Sequence, residues 1–439
     1  MVGGPADNPV SSSGTEPSVH RSILVVGGGI AGITAAVEAA ETGFDVVIVE
    51  KEASLGGRVA QLNKYFPKLC PPTCGLEINF QRVKKNPRIR FYTLAEVKDI
   101  SGQPGNFDVT IGQRARYVTD RCTACNACVE ACPVSRPDSF NLGMGSTKAI
   151  YLPHSMAFPM KYAIDDSACK LNACAKCVSA CKYDAIDLNM QEKTFNLKVG
   201  AVIMATGWKP YDASRIDNLG FGRYADVITN MMMERMAAPN GPTKGKILRP
   251  SDGEPVNSVA FVQCAGQRDR LHLGYCSGIC CLGSLKQATY VTAQNEHARV
   301  HIFYIDLRTP GTYGFFSRRV RSDENISVIK GKVAKIVEDP KEQTLIVEAE
   351  DTVSAQKIRV NVDLVVLATG MVANLEEDKP AADIVYDEDH FVAPDSTAPG
   401  IFVAGCARAP IDVATAAQDA TAAALKAING IRAAAERLR

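Results

Sequence analysis

The sequence lacks both a charge imbalance and long apolar runs. Lys and Arg number 49 against 48 Asp and Glu, which gives a formal net charge of +1. No global field therefore draws the chain to nucleic acid or to an anionic membrane. No apolar run reaches about 18 residues, which excludes a transmembrane helix, and residues 1–21 lack the apolar region of a signal peptide. We therefore expect a cytoplasmic chain without nucleic-acid binding or direct membrane insertion.

What the sequence has in excess is cysteine. The 439 residues include fifteen cysteines, an odd number at tight spacings. Apolar residues make up 46% and charged residues 22%, which is typical of a soluble globular protein, and the length suggests two or three domains. In a reduced compartment, so many thiols point to metal clusters or redox chemistry and not to a disulfide scaffold.

The first motif is a glycine turn between a strand and a helix. Ile23–Val26 is a short β-branched run, and Gly27-x-Gly29-x-x-Gly32 follows at once. Such glycines permit a tight turn and let backbone amides approach a pyrophosphate at the helix N-terminus. Glu50 ends the next strand, where a carboxylate can accept hydrogen bonds from ribose hydroxyls. We interpret the unit as a dinucleotide site; the alternative is a purely structural turn.

Several features favour FAD over NAD at this site. Gly56-Gly57-Arg58 follows the acid, as in flavoprotein disulfide reductases, and residues 400–405 resemble the second FAD motif of those proteins. Cys406 stands where that family usually has an aspartate, and Asp412 is either a substitute ligand or a helix cap. The candidate cofactor-binding residues are Gly27, Gly29, Gly32, Glu50, Lys51, Gly57, Arg58, Ala205, Thr206, Gly207, Gly405, Cys406 and Asp412.

Eight cysteines between residues 120 and 190 have ferredoxin spacing. The first run is C-x2-C-x2-C-x3-C-P, in which the fourth thiolate crosses to a second cluster. The second run has two extra residues after its first cysteine and Lys182 in place of proline. We predict two [4Fe–4S] clusters and consider zinc or free thiols the alternative. Cluster one would use Cys122, Cys125, Cys128 and Cys181; cluster two would use Cys132, Cys169, Cys174 and Cys177.

The cysteine runs interrupt the FAD-binding region, which predicts an α/β fold of two dinucleotide-binding, flavoprotein disulfide reductase-like domains with an inserted two-cluster ferredoxin module. A flexible N-terminal tail is predicted for residues 1–21 and the ferredoxin module for residues 116–190. The FAD-binding domain is predicted to comprise three separate segments, residues 22–115, 191–250 and 373–439. The second dinucleotide-like domain is predicted for residues 251–372.

A third group, Cys264, Cys276, Cys280 and Cys281, lies at the start of the second dinucleotide-like domain. A pyridine-nucleotide site there would need another GxGxxG, and only Gly266 remains. We therefore expect this domain not to bind NAD(P)H at that turn. Adjacent cysteines are compatible with thiolates around an unusual cluster. We predict a third [4Fe–4S] site, with buried or redox-active thiols as the alternative.

Two further groups have weaker signals. Cys70 and Cys74 lie where flavoprotein disulfide reductases place their redox pair, but the spacing is C-x3-C with two prolines. They are either a flavin-facing thiol pair or extra ligands, or ordinary loop cysteines. The six histidines form no recognisable catalytic or metal motif, and we interpret them as surface or core residues.

Together, the glycine turn, the inserted ferredoxin module and the Cys264 to Cys281 pattern resemble the family of heterodisulfide reductase A subunits over residue 22 to the C-terminus. Within it, residues 62–77 look like the branch found in the quinone-interacting membrane-bound oxidoreductase of sulfate reducers. The resemblance implies an FAD and iron–sulfur electron-transfer subunit that is peripherally membrane-associated through a partner.

The resemblance also implies the partners: a second flavoprotein of the same family, a menaquinol-oxidising haem subunit in the membrane, and adenylylsulfate reductase in dissimilatory sulfate reduction. Two alternatives remain open. One is a heterodisulfide reductase-like subunit in sulfur oxidation or flavin-based electron bifurcation. The other is a stand-alone NAD(P)H:acceptor oxidoreductase, which the missing second glycine motif disfavours.

Overall fold

The computed structural model describes residues 19–66, 69–374 and 384–438, with the backbone alone for 394–397. The flexible tail predicted for residues 1–21 lies almost entirely outside this range. All fifteen cysteines lie within it, and none of them forms a disulfide. Among the described helices, none is long and apolar enough to cross a membrane.

The first sheet is parallel and collects strands from three distant regions of the chain. Its spatial order is β24 (Ile401–Val403), β11 (Ala201–Met204), β1 (Ser22–Val26), β2 (Asp45–Glu50) and β3 (Ile89–Thr93). The three central strands, β11, β1 and β2, are short apolar runs that are largely buried on both faces, as is typical of parallel strands. The chain therefore returns to this sheet twice, which matches a FAD-binding domain interrupted by two other modules.

Helices cover one face of the first sheet and a second sheet covers the other. The helices are α1 (Ile30–Glu41), α2 (Pro72–Lys85) and α8 (Val413–Arg437). Alanines on α1 and α8 let these two helices pack closely against Ile23, Val25 and Ile48. On the opposite face, Leu24 and Val47 pack against the antiparallel sheet β10 (Lys193–Val199), β5 (Asn106–Gln113) and β4 (Ala95–Gln103).

The inserted module leaves and re-enters this antiparallel sheet at one point. Gln113, at the end of β5, pairs directly with Lys193, at the start of β10. The module between them contains α3 (Ala127–Ala131), α4 (Lys176–Ala180), and the strand pairs β6 (Ser135–Pro137) with β7 (Ser146–Lys148) and β8 (Ile150–Tyr151) with β9 (Ala163–Ile164). Because the two ends are paired strands, the module is held firmly against the FAD-binding domain.

The second domain is built on another parallel sheet. Its order is β13 (Val227–Thr229), β20 (Leu364–Thr369), β14 (Ser258–Ala265), β15 (Arg299–Tyr304) and β16 (Ile326–Lys330). It carries α5 (Asn230–Ala237), α6 (Cys280–Gln294), α7 (Tyr313–Arg321) and the antiparallel sheet β17 (Val333–Asp339), β18 (Thr344–Asp351) and β19 (Gln356–Val362). Two short crossing strands, β12 (Trp208–Pro210) and β21 (Met371–Ala373), pair antiparallel where the chain passes between the domains. A final hairpin joins β22 (Ile384–Tyr386) to β23 (Val392–Thr397).

One sequence-based boundary needs correction. Residues 191–250 were predicted as the second segment of the FAD-binding domain, but β13 pairs with β20 in the second sheet. Tyr211, Ile216 and Leu219 also pack in the core of the second domain. The second domain therefore begins soon after β12, because a three-residue strand such as β13 carries no periodicity that a sequence could reveal.

Candidate cofactor sites

A cleft of about 710 Å³ opens at the carboxyl ends of β1 and β2. Its volume lies within the usual range of small-molecule sites. Of the thirteen residues predicted to bind FAD, ten line this cleft: Gly27, Gly29, Glu50, Lys51, Gly57, Arg58, Ala205, Thr206, Gly207 and Cys406. The fold therefore brings together residues from all three predicted segments of the FAD-binding domain.

The glycine turn is tight for steric reasons. Gly27 has φ +107°, and a Cβ there would lie 2.3 Å from the Ala205 carbonyl oxygen. A Cβ on Gly32 would lie 1.9 Å from the Gly27 carbonyl oxygen, so Gly32 shapes the turn without lining the cleft. A Cβ on Gly29, in contrast, would find its nearest contact 3.9 Å away, at Gly57 Cα. The backbone at Gly29 therefore leaves open space in which a pyrophosphate could approach the first turn of α1.

Glu50 is a buried carboxylate at the edge of this turn. Its Oε2 accepts a hydrogen bond of 2.6 Å from Gly28 N, and its Oε1 accepts one of 2.8 Å from Glu52 N. Burial nevertheless raises the pKa of Glu50 to about 7, because a charged carboxylate loses its hydration there. Further donors, such as ribose hydroxyls, would favour its ionised form.

A buried hydroxyl also indicates a missing ligand. Thr206 Oγ1 is buried and has no hydrogen-bond partner among the described residues. Buried hydroxyls are seldom left unpaired in folded proteins. Because Thr206 lines the cleft beside the glycine turn, this orphaned atom fits a site that is completed by a polar cofactor.

The last predicted FAD motif is arranged differently from the sequence expectation. Asp412 does not line the cleft; its Oδ1 caps α8 by accepting a hydrogen bond of 2.7 Å from Thr415 N. The turn at Gly405 is instead held by Asp419, whose Oδ2 accepts a hydrogen bond of 2.8 Å from Gly405 N. Sequence reasoning missed Asp419 because it lies two turns into a helix, where an acid usually faces solvent.

The inserted module closes one side of the cleft, which the sequence did not reveal. Its contribution consists of Arg136, Asp138, Ser139, Phe140, Thr147, Tyr151, Leu152, Pro153 and His154. Arg136 Cζ lies 4.2 Å from the ring centroid of Tyr151, and Gln61 Nε2 donates a hydrogen bond of 3.0 Å to the Phe140 carbonyl. The module thus contributes to the cofactor site and is not only an appended domain.

The eight ferredoxin cysteines divide between two small cavities within the inserted module. One cavity is lined by Cys122, Cys125, Cys128 and Cys181, and the other by Cys132, Cys169, Cys174 and Cys177. Each set joins three cysteines of one run to the fourth cysteine of the other run. This is the division that ferredoxin spacing predicts.

Local backbone geometry explains how both runs form the same turn. Asn126 and Ala175 have φ of +71° and +47° and precede α3 and α4, each of which presents one cysteine to a cavity. The two extra residues of the second run form a 3-10 turn over Leu171–Ala173, so the thiols still converge. Within the described ranges, no three His, Cys, Asp or Glu side chains come close enough to hold a single metal ion.

The third cysteine group also comes together. Cys264, Cys280 and Cys281 are buried, Cys276 is half-buried, and the thiol of each buried cysteine is influenced electrostatically by Cys276. Burial raises the pKa of Cys280 to about 12 and that of Cys264 to about 11. Burial also raises the pKa of Cys281, so the three buried thiols are biased against ionisation unless a cation or cluster compensates their charge.

The turn after β14 is filled by the protein itself. Gln267 Nε2 donates hydrogen bonds of 3.2 Å to Cys280 Sγ and to the Ala368 carbonyl, and its Oε1 accepts one of 2.9 Å from Ser277 N. A Cβ on Gly266 would lie 2.8 Å from the Tyr211 ring. The place where a dinucleotide would enter a glycine-rich turn is thus packed with side chains.

Cys70 and Cys74 are absent from the cleft lining. Both lie near Tyr65, and a hydrogen bond with the Cys70 side chain raises the pKa of Tyr65 to about 12. Cys74 is exposed on the first turn of α2. The structure thus places both cysteines outside the cleft lining, and the choice between a thiol pair, extra ligands and ordinary loop cysteines stays a prediction.

Comparison with known proteins supports both cofactor classes. Residues 22–71 match the family described as FAD dependent oxidoreductase, and residues 115–135 match the 4Fe-4S binding domain. The fold resembles that of T. acidophilum thioredoxin reductase, with a TM-score of 0.53, 16% identity, and coverage of 93% of this chain and 99% of that chain. At this identity the resemblance concerns the α/β fold alone.

Closer relatives match nearly the whole chain. The iron–sulfur A subunit, form 1, of the CoB–CoM heterodisulfide reductase of Methanopyrus kandleri is 40% identical over 432 residues, covering 94% of this chain and 64% of the relative. The A subunit of the H2/formate:CoB-CoM heterodisulfide, ferredoxin reductase of Methanococcus maripaludis is 38% identical over 430 residues, covering 93% and 64%. The chain thus spans slightly less than two thirds of the length of these relatives. It is similar, over nearly all its residues, to part of the A subunits of the heterodisulfide reductases.

Proposed function

We propose that this chain is an FAD and iron–sulfur electron-transfer subunit of a heterodisulfide reductase-like complex. A bound flavin would supply two-electron chemistry, and [4Fe–4S] clusters would supply one-electron transfer. The observation that carries the proposal is the continuity of the sites. Ile150 of β8 borders both four-cysteine cavities, and the next residue, Tyr151, lines the FAD cleft.

The role of each cleft residue follows from its chemistry. Gly27 and Gly29 would leave room for the pyrophosphate, and Glu50 would accept ribose hydroxyls. Thr206 Oγ1 would gain its missing hydrogen bond. Cys406, in the place of the usual aspartate, is a neutral thiol because burial raises its pKa to about 11, so it would bring no negative charge to the cofactor.

The cysteines would hold three clusters. Two would lie in the inserted module, with the ligand sets that line its two cavities. The third would use Cys264, Cys276, Cys280 and Cys281, since four converging thiols of which three are buried need a compensating charge. Gln267, which donates a hydrogen bond to Cys280 Sγ, would position that ligand.

We further propose that the chain works in the quinone-linked branch. The support is the stretch from residue 62 to 77, and the expected partners are adenylylsulfate reductase, a second flavoprotein and a membrane haem subunit. The relatives act on CoB–CoM heterodisulfide according to their names, so a role in sulfur oxidation or electron bifurcation is the competing assignment. The packed turn at Gly266 argues against direct NAD(P)H binding.

Anaerobic purification of the complex from its native host tests these proposals. We expect about one FAD and about twelve iron atoms per chain, four for each of three clusters. Co-purification of a haem-bearing membrane subunit would support the quinone-linked branch, whereas partners that reduce a disulfide would contradict it. Rapid bleaching of the flavin by NADH in the isolated chain would overturn the proposed role in a complex, in favour of an NAD(P)H oxidoreductase.

A further inference from the structure

His154 is a half-buried histidine of the FAD cleft whose ring makes no hydrogen bond to another described residue. His272 Nδ1 lies 2.9 Å from the Tyr211 hydroxyl, and His301 Nδ1 lies 2.7 Å from Ser327 Oγ. Among the described residues, neither ring nitrogen of His154 has a hydrogen bond, and the ring lines the FAD cleft. The two imidazole nitrogens are therefore available to hydrogen-bond with a ligand in the cleft.

The position of His154 is firmly set by aromatic packing. Its ring is stacked on Phe140, with centroids 4.7 Å apart and planes 23° apart. Phe140 is in turn held by Asp138, whose Oδ1 accepts a hydrogen bond of 3.1 Å from Phe140 N, and by Gln61, which donates to its carbonyl. The imidazole is therefore fixed at the Gln61 end of the cleft by contacts that leave its nitrogens free.

A buried arginine strengthens this arrangement from the second domain. Arg235 Cζ lies 4.8 Å from the Phe140 ring centroid, and its side chain is fully buried. Its Nε donates a hydrogen bond of 2.8 Å to Asn141 Oδ1, and its Nη1 donates one of 3.3 Å to the Gln61 carbonyl. Arg235 thus joins the inserted module, the FAD-binding domain and α5 at the place where His154 stacks.

The protonation state of His154 suits hydrogen bonding more than ion pairing. Burial and the nearby Arg235 charge lower the pKa of His154 to about 4. The imidazole is therefore neutral near pH 7, with one nitrogen as donor and the other as acceptor. A neutral ring of this kind matches the mixed donors and acceptors of a flavin better than it matches a phosphate.

We propose that His154 is a cofactor-contact residue, supplied by the inserted module, that hydrogen-bonds to the flavin end of the dinucleotide in the cleft. The inference rests on the proposed FAD function. The ferredoxin module would then contact the cofactor directly through His154, in addition to containing the two cysteine cavities. Loss of this contact should weaken FAD binding and alter the flavin absorption spectrum without unfolding the chain.

The test compares three variants of the full chain. His154→Phe keeps an aromatic ring on Phe140 but removes the hydrogen bonds, and His154→Asn keeps a donor and an acceptor. His301→Phe, in β15 and outside the cleft, is the matched control. The dissociation constant of FAD is measured by fluorescence titration of the deflavinated protein, and the visible flavin spectrum and the melting temperature of each apoprotein are recorded.

We expect His154→Phe to bind FAD about fivefold more weakly with a shifted flavin spectrum, because a hydrogen bond contributes roughly 1 kcal/mol. His154→Asn should recover most of the affinity, and His301→Phe should match the wild type. Equal affinity and spectra in His154→Phe and the wild type would overturn the inference while leaving the FAD proposal intact, and so would equal losses in the Phe and Asn variants. A wild-type chain that binds no FAD would overturn both proposals.

Discussion

Lys286 Nζ lies 2.9 Å from Glu234 Oε1, and both side chains are almost fully buried. The same carboxylate accepts a hydrogen bond of 3.0 Å from Asn63 N, and Lys286 donates to the Lys64 carbonyl. The ion pair and these two hydrogen bonds therefore connect α6 to residues 63 and 64, which follow Gln61 of the FAD cleft. Because α6 begins at Cys280, they link the third cysteine group to the flavin site.

Breaking this pair should destabilise the chain strongly. Lys286→Met leaves Glu234 buried without its counter-charge, and we expect a loss of about 3 kcal/mol of unfolding free energy. The control is Lys335→Met, which breaks an exposed pair with Glu348 at 3.2 Å and should cost less than about 1 kcal/mol. Urea unfolding of the two variants measures the difference; equal midpoints would contradict the structural role of the buried pair.

Removing a ferredoxin cysteine should remove one cluster and spare the other. Cys128→Ala and Cys177→Ala each disrupt one of the two four-cysteine cavities. We expect each variant to lose about four iron atoms per chain. Cys74→Ala, an exposed thiol outside both cavities, serves as the control and should keep full iron. The iron content of each variant is measured after anaerobic purification. An unchanged iron content in Cys128→Ala or Cys177→Ala would refute the assignment of that cysteine as a cluster ligand.

The third cysteine group should behave in the same way. Cys280→Ala removes a buried thiol that Gln267 contacts at 3.2 Å. We predict that this variant loses about four iron atoms per chain, those of the third cluster, and keeps the iron of the two ferredoxin clusters. Cys406→Ala, which removes a buried thiol outside the group, should leave the iron content unchanged. If Cys280→Ala retains all its iron, the four thiols are not cluster ligands.

FAD binding should strengthen as the pH rises. Burial holds the pKa of Glu50 at about 7 in the folded chain, above about 4.3 in an unfolded chain. Its contribution to apoprotein stability is therefore complete below the unfolded pKa and is lost as the pH rises through 7, by about 1.4 kcal/mol between pH 6 and 8. Ribose hydroxyls that donate to the ionised carboxylate would oppose this loss.

We accordingly expect the dissociation constant of FAD to fall by up to about tenfold from pH 6 to pH 8. Glu50→Gln cannot ionise and should show a flat profile over this range, so it is the control. Fluorescence titration at several pH values gives the comparison. A wild-type profile as flat as that of Glu50→Gln would show that Glu50 does not contact the cofactor.

Two glycines of the same turn should respond differently to alanine. A methyl group on Gly32 would lie 1.9 Å from the Gly27 carbonyl oxygen, so Gly32→Ala should prevent correct folding of the turn. A methyl group on Gly29 meets nothing closer than 3.9 Å, so Gly29→Ala should fold normally but block the cofactor. Circular dichroism and FAD titration separate the two effects. Tight FAD binding by Gly29→Ala would place the pyrophosphate elsewhere.

Much of the architecture could be predicted because its signals are local. The strand and helix around Gly27 have strong periodicity and a defined turn chemistry, and eight cysteines at ferredoxin spacing leave few arrangements. Short elements were harder to predict. The three-residue strand β13 gave no pattern of its own, so the boundary of the second domain was misplaced by sequence reasoning.

The roles of some site residues could not be predicted, because their surroundings come from distant regions of the chain. Asp419 holds Gly405 across fourteen residues, and His154 enters the cleft only because its module is anchored between β5 and β10. The packing of Phe140 on His154 and Arg235 joins three segments that no sequence motif connects.

By itself, the sequence determined which chemical groups are available: a glycine turn with a terminal acid, and fifteen thiols with three recognisable spacings. A motif of this kind depends only on residues that are near each other in the chain, so covalent geometry is enough to bring its groups together. The tertiary structure alone decided which groups meet. It placed β8 between the cysteine cavities and the cleft, removed Cys70 and Cys74 from that cleft, and brought in His154, because long-range packing sets distances that residue spacing does not encode.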